Sequence, residues 1–108
     1  MKGQVKNYSS RTLWVLVSKE KKMNAYQLAP GRCSPENIDA DGFKAVEDIP
    51  IDGYRGWIKI VDICTAEVKE EGNKLTSECL FCGNVDDEEF GEVSFYKGDD
   101  WGEVIAEN

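Results

Sequence analysis

Apolar residues fall in short runs along the chain, and most runs have the period or composition of strands. Residues 12–18, Thr-Leu-Trp-Val-Leu-Val-Ser, place five apolar side chains in a row. A β-branched and aromatic run that is apolar on both faces predicts a central strand covered on both sides. Residues 3–8 predict a preceding strand. Residues 23–29 predict a strand that pairs back after a charged turn at 19–22 and stops at Ala29-Pro30-Gly31. Residues 56–64 predict another strand, with Trp57, Val61 and Ile63 on one face and Ile58, Ile60 and Cys64 on the other. Residues 75–82 alternate, with Leu75, Cys79 and Phe81 inward and Thr76 and Glu78 outward, and residues 70–73 form the turn between these two strands. Strands at 91–97 and 101–106, joined by a hairpin turn at 98–100, close the series.

One segment reads differently. Ser34 suits a helix N-cap, Pro35 the first helical position, Glu36 the first turn and Gly42 the stop, which predicts at most one short helix near 35–41. With 108 residues, the chain is expected to form a single β domain over 1–108. The expected fold is mainly β, an antiparallel β-sandwich or flattened small barrel. Its core is expected to contain Trp14, Val15, Val17, Trp57, Ile60, Val61, Ile63, Leu75, Phe81, Phe95 and Ile105. Residues 5–10, 13–15 and 26–31 resemble the first hairpin of several unrelated sandwich proteins, which bears on the fold and not on an activity.

Charge sharpens this outline. The net charge is −8, distributed unevenly. Residues 1–34 carry seven basic side chains and one acidic, whereas residues 35–108 carry six basic and twenty acidic, a local net of −14. Such asymmetry predicts one basic and one acidic surface wherever the fold keeps the two segments apart. An acidic chain is a poor ligand for phosphate backbones or anionic lipid, so neither direct nucleic-acid binding nor membrane binding is expected. The longest apolar run is five residues, too short for a membrane span or a signal-peptide core, and a cytoplasmic location is expected.

The chain has no histidine, which removes Ser-His-Asp and Cys-His nucleophiles and His-ligated metal sites. Phosphate-loop and nucleophile motifs are also absent, so no catalytic residue is assigned and a non-enzyme is expected. Cys79-Leu80-Phe81-Cys82-Gly83 supplies half of a zinc motif, but the other two cysteines, Cys33 and Cys64, lie far away in sequence. The expectation is four buried thiols, neither paired in a disulfide nor holding a cofactor.

Asn37, Asp39 and Asp41, followed by Gly42 and then Asp48, offer oxygen ligands in the layout of a calcium loop. Lys44 within the loop and Pro35 and Pro50 beside it do not fit an EF-hand, so the candidate is a calcium loop of another kind. Tyr54-Arg55-Gly56-Trp57, with Trp14, Tyr26 and Trp101, offers either core filling or a platform for sugar rings. Asp86, Asp87, Glu88, Glu89 and Glu92, with Asp99 and Asp100, form an acidic segment suited to docking a basic protein. The function expected from these features is a small acidic binding protein engaging a basic partner, as an immunity-type or nucleic-acid-mimic inhibitor does, in a monomer or weak homodimer. The alternatives are a carbohydrate-binding module, with or without calcium, and an accessory domain without a ligand.

Overall fold

The computed structural model describes residues 2–19, 21–61, 63–98 and 101. Their strands, in chain order, are β1 (Gln4–Asn7), β2 (Leu13–Lys19), β3 (Lys22–Leu28), β4 (Ala40–Ala45), β5 (Ile58–Ile60), β6 (Thr65–Glu71), β7 (Lys74–Glu78), β8 (Cys82–Asn84) and β9 (Val93–Tyr96). They form a three-stranded sheet, β1-β6-β7, and a six-stranded sheet, β8-β5-β4-β2-β3-β9. The result is the expected β-sandwich, with a radius of gyration of 12.5 Å, close to the roughly 13 Å of a single compact domain of this length. Two pairings, β1 with β6 and β3 with β9, are parallel. Both join strands remote in sequence, as parallel pairing requires a long crossover.

Strand β2 explains the architecture. All five residues of its apolar run are buried, and they divide by parity. Leu13, Val15 and Val17 enter the core between the sheets, with Tyr26, Phe43, Ile58 and Ile60 from their own sheet and Val5, Ala66, Val68 and Leu75 from the other. Trp14 and Leu16 point to the opposite face, where they meet Ala25 and Trp57. Strand β3 pairs back on β2 as expected, from Leu13 with Leu28 to Lys19 with Lys22.

The six-stranded sheet is therefore apolar on both faces. Its outer face is covered by residues 85–92, which run from β8 at one edge to β9 at the other. Val85 and Phe90 pack down onto Trp57 and its neighbours, beside Val93 of β9, and Phe90 lies on a short 3-10 turn, Asp87–Phe90. Gly42 makes room beneath this strap. A Cβ there would come within 2.9 Å of the Ile58 carbonyl oxygen and 3.6 Å of the Phe90 ring.

Several expectations change. Residues 35–41 form no helix: Ile38 N–H bonds to the Pro35 carbonyl in a turn, and β4 starts at Ala40. The cap-like residues are used otherwise, since Ser34 Oγ accepts Val5 N–H and Asp39 accepts Gly3 N–H. Contact with Gly3 and β1 thus fixes the turn at 35–38 and the extended chain that follows it. The predicted strand 56–64 shrinks to Ile58–Ile60, and the hairpin turn 70–73 joins β6 to β7 instead. Val61 (65% exposed), Ile63, Phe81 and Phe95 are not core residues. The first two follow the end of β5, Phe81 sits in the turn before β8, and Phe95 lies on an edge strand against Trp14 at 4.9 Å. Ile105 and the strand expected at 101–106 fall outside the described residues, apart from Trp101, which is buried beside Tyr26.

The basic and acidic segments are not kept apart either. Strand β1 pairs with β6 and β2 with β4, and Arg11 reaches Glu47 at 3.2 Å and Glu70 at 4.0 Å. No helix among the described residues is long and apolar enough to cross a membrane.

Candidate functional site

The acidic segment belongs to the strap, and its charges divide into two groups. Asp87 turns inward: one oxygen accepts Trp57 N–H at 3.3 Å, and the other lies 3.7 Å from Lys44 Nζ. Glu89 meets Lys59 Nζ at 3.1 Å. Lys44 and Lys59 project from the outer face of the sheet, with Lys44 Nζ 4.5 Å above the Trp57 ring. These lysines fix the strap over the tryptophan and neutralise half of its four-residue acidic run. Asp86, Glu88 and Glu92 are exposed and have no cationic partner among the described residues. Asp99 and Asp100 lie outside those residues.

Beside Asp86 and Glu88 is a hollow of about 410 Å³ lined by Tyr54, Arg55, Gly56, Asp86, Asp87 and Glu88. Its placement follows from local sequence. Asp52 and Gly53 both have positive φ, 54° and 78°, and close a tight turn in which Ile51 and Tyr54 exchange backbone hydrogen bonds. Asp52 anchors this turn to β7 through Ser77 N–H and Oγ. Tyr54 then donates its hydroxyl to the Val85 carbonyl, linking the turn to the strap. Gly56 allows the ring to lie against the backbone, because a Cβ there would be 3.0 Å from Tyr54 Cε2.

Desolvation first, then the charges of Asp86 and Asp87, hold the Tyr54 pKa above its ordinary value. The Arg55 guanidinium is bound to Asp48, at 2.7 Å to Oδ1 and 2.8 Å to the carbonyl. The hollow therefore combines an aromatic ring with three carboxylates, and the cation on its wall already has a partner.

The proposed calcium ligands are engaged separately. Asp39 accepts Gly3 N–H at 2.7 Å, the Asn37 carbonyl accepts Lys2 Nζ, and Asp48 holds Arg55. Asp41 is the extra residue of a β-bulge, since the register passes from Leu16–Gly42 to Val17–Ala40, and its carboxylate accepts Ser18 N–H. Burial and then Asp39 raise the Asp41 pKa, against the lowering effects of Ser18 and Lys59. Asp39, Asp41 and Asp48 do not gather into one potential metal cluster among the described residues.

All three tryptophans are buried, so none offers an open platform to a sugar ring. The large exposed aromatics are instead Tyr8, Phe81 and Phe95.

The cysteines depart furthest from expectation. Cys33 is exposed. Cys79 and Cys82 are disulfide-paired, with Cα atoms 5.5 Å apart. Cys64, fifteen residues before Cys79, places its Sγ 3.0 Å from that of Cys79 and 4.0 Å from that of Cys82. Sequence reasoning missed this third sulfur because separation along the chain does not show which segments a sandwich brings together. It also missed Lys44 and Lys59 as counter-charges. The available signal was Lys59, a cation in the middle of an otherwise apolar strand.

The molecule is thus a two-sheet β-sandwich with a strap across one outer face, an acid-lined hollow at the strap and a three-sulfur cluster at one end. No protein family, curated protein or solved structure matches the chain.

Proposed function

We propose that this protein is a non-catalytic binding module of the cytoplasm that takes a basic side chain of a protein partner into the hollow between Tyr54 and the Asp86–Glu88 turn. The observation carrying the reading is the pair of exposed carboxylates, Asp86 and Glu88, beside an aromatic ring, with Asp87 held by Lys44 and Arg55 turned onto Asp48. A lysine or arginine entering there gains an aromatic face and unpaired carboxylates together. The −14 charge of residues 35–108 supports the same choice of partner, because a field of that sign attracts basic surfaces over distance. Two partner classes suit it: a basic toxin such as a nuclease, and a nucleic-acid-binding protein whose phosphate site the carboxylates imitate. Association is then fast and salt-sensitive.

The test is titration with a hexa-arginine peptide, followed residue by residue by NMR at low and physiological salt. Shifts are expected at Tyr54, Gly56, Asp86 and Glu88, weaker at the higher salt and lost in the double variant Asp86→Asn, Glu88→Gln. This pair leaves the strap's inward contacts through Asp87 and Glu89 intact. Shifts centred elsewhere, or unchanged in the double variant, refute the reading.

A further inference from the structure

We propose that Cys64, Cys79 and Cys82 form a binding site for one thiophilic metal ion of the Zn²⁺ class. The three sulfurs lie within 4.8 Å of one another, and the three residues are all half-buried. A tetrahedral zinc site with Zn–S bonds of about 2.3 Å places its sulfurs roughly 3.8 Å apart. The 3.0 and 4.0 Å distances from Cys64 to the other two bracket that value. The 5.5 Å between the Cα atoms of Cys79 and Cys82 suits two ligands in a CxxC turn as well as a disulfide. The disulfide engages two of the sulfurs and leaves the Cys64 thiol beside them; once the bond is reduced, the three sulfurs are placed to share one cation.

The position in the fold adds a separate reason. The chain passes from the six-stranded to the three-stranded sheet between β5 and β6, at Cys64, and returns between β7 and β8, across Cys79 and Cys82. The two crossovers meet at the sulfurs, so an ion there ties the sheets together at the end where β5 and β8 contribute only three residues each. A hollow of about 170 Å³ borders Cys79 and Cys82, with Asp52, Ser77 and Asn84 in its wall, and gives room for water as a fourth ligand. Gly83, adjacent to the pair, lies in β8 opposite Lys59. Loading first requires two-electron reduction of the Cys79–Cys82 bond: a dithiol gives two electrons and two protons and becomes a disulfide, or a phosphine gives two electrons and becomes its oxide while water supplies the oxygen and both protons. Each thiol then releases its proton to the solvent as its sulfur binds the ion.

The experiment uses the full chain, reduced with a phosphine and titrated with Co²⁺ and Zn²⁺. Expected are one Co²⁺ per chain, a thiolate-to-cobalt charge-transfer band with the visible bands of tetrahedral cobalt, and displacement by Zn²⁺. The band persists in Cys33→Ser and disappears in Cys64→Ser. Because a ligand variant can fail to fold, alkylation of the reduced wild-type protein is read in parallel by mass spectrometry. Zn²⁺ is expected to protect Cys64, Cys79 and Cys82 and to leave Cys33 reactive. Absence of the band in the reduced wild type, full retention of it in Cys64→Ser, or protection limited to Cys79 and Cys82 overturns the proposal.

Discussion

The two faces of the six-stranded sheet are both apolar but are covered by different means. The inner face is closed by a second sheet, and its core draws on strands from Val5 to Leu75. The outer face is closed by one strap, whose cover consists of Val85 and Phe90 and two lysine–carboxylate contacts. A cover made of a hydrogen-bonded sheet with a shared core opens at a free energy near that of global unfolding. A strap with few buried contacts can open locally at a lower free energy. The hollow beside the strap lies at this boundary: one side of its lining is the 54–56 loop, whose preceding turn is anchored to β7 through Asp52, and the other is the strap itself.

The strongest test of the contrast is Phe43→Ala on the inner face. Phe43 is fully buried, and its truncation is expected to cost about 3–5 kcal/mol in urea unfolding, with the whole transition shifting. Phe90→Ala, on the strap, is expected to cost about 1–2 kcal/mol, since its ring is only partly buried. Its distinguishing signature is hydrogen exchange: amides 85–91 exchange faster while those of β2 and β3 keep their protection. Equal acceleration in both regions would show that the strap and the inner core open as one unit.

Removing the charges gives smaller effects. Lys59→Met is expected to change stability by under about 1 kcal/mol, because the Lys59–Glu89 pair is solvent-exposed, and salt should reduce the effect further.

The smallest effect concerns Asp41. Its folded-state pKa is raised, so its ionised form opposes folding above that pKa, and the opposition is gone below the unfolded value near 3.8. Asp41→Asn keeps an acceptor for Ser18 N–H and is expected to raise stability slightly at pH 7. That gain should vanish as the pH falls below 3.8. Thermal melts across that range check the sign. Glu70 runs the other way: hydrogen bonds from the Ser10 side chain and backbone hold its pKa down, so its contribution is present at neutral pH and is lost on acidification through the folded value.

The same two-sided cover decides what was legible in the sequence. Strand β2 could be read because its own residues supply apolar groups to both faces. Strand β4 could not. Its outer face carries Gly42 and Lys44, and the apolar group that completes it, Phe90, comes from far along the chain. Locally, the Asp39–Gly42 stretch has the composition of a turn or an ion loop, and only contact with β1 and β2 makes it extended. The acidic run at 86–89 was legible as a charged surface. Its division into inward and outward carboxylates was not, because that depends on which lysines lie beneath. Cys79 and Cys82 were legible as a pair, and Cys64 joins them only through the crossing of the chain between sheets.

The parallel docking of β9 on β3 also imposes an order of events during synthesis. Strand β3 is complete at Leu28, but its neighbour is not complete until Tyr96. At elongation rates of about 5–20 residues per second, that interval is on the order of several seconds. Throughout it, a nascent chain presents the free edge of β3 and an uncovered Trp14, the kind of surface that recruits strands from neighbouring chains. Slow codons anywhere between residues 29 and 96 would lengthen this exposure, and chaperone demand should therefore track translation speed across that interval.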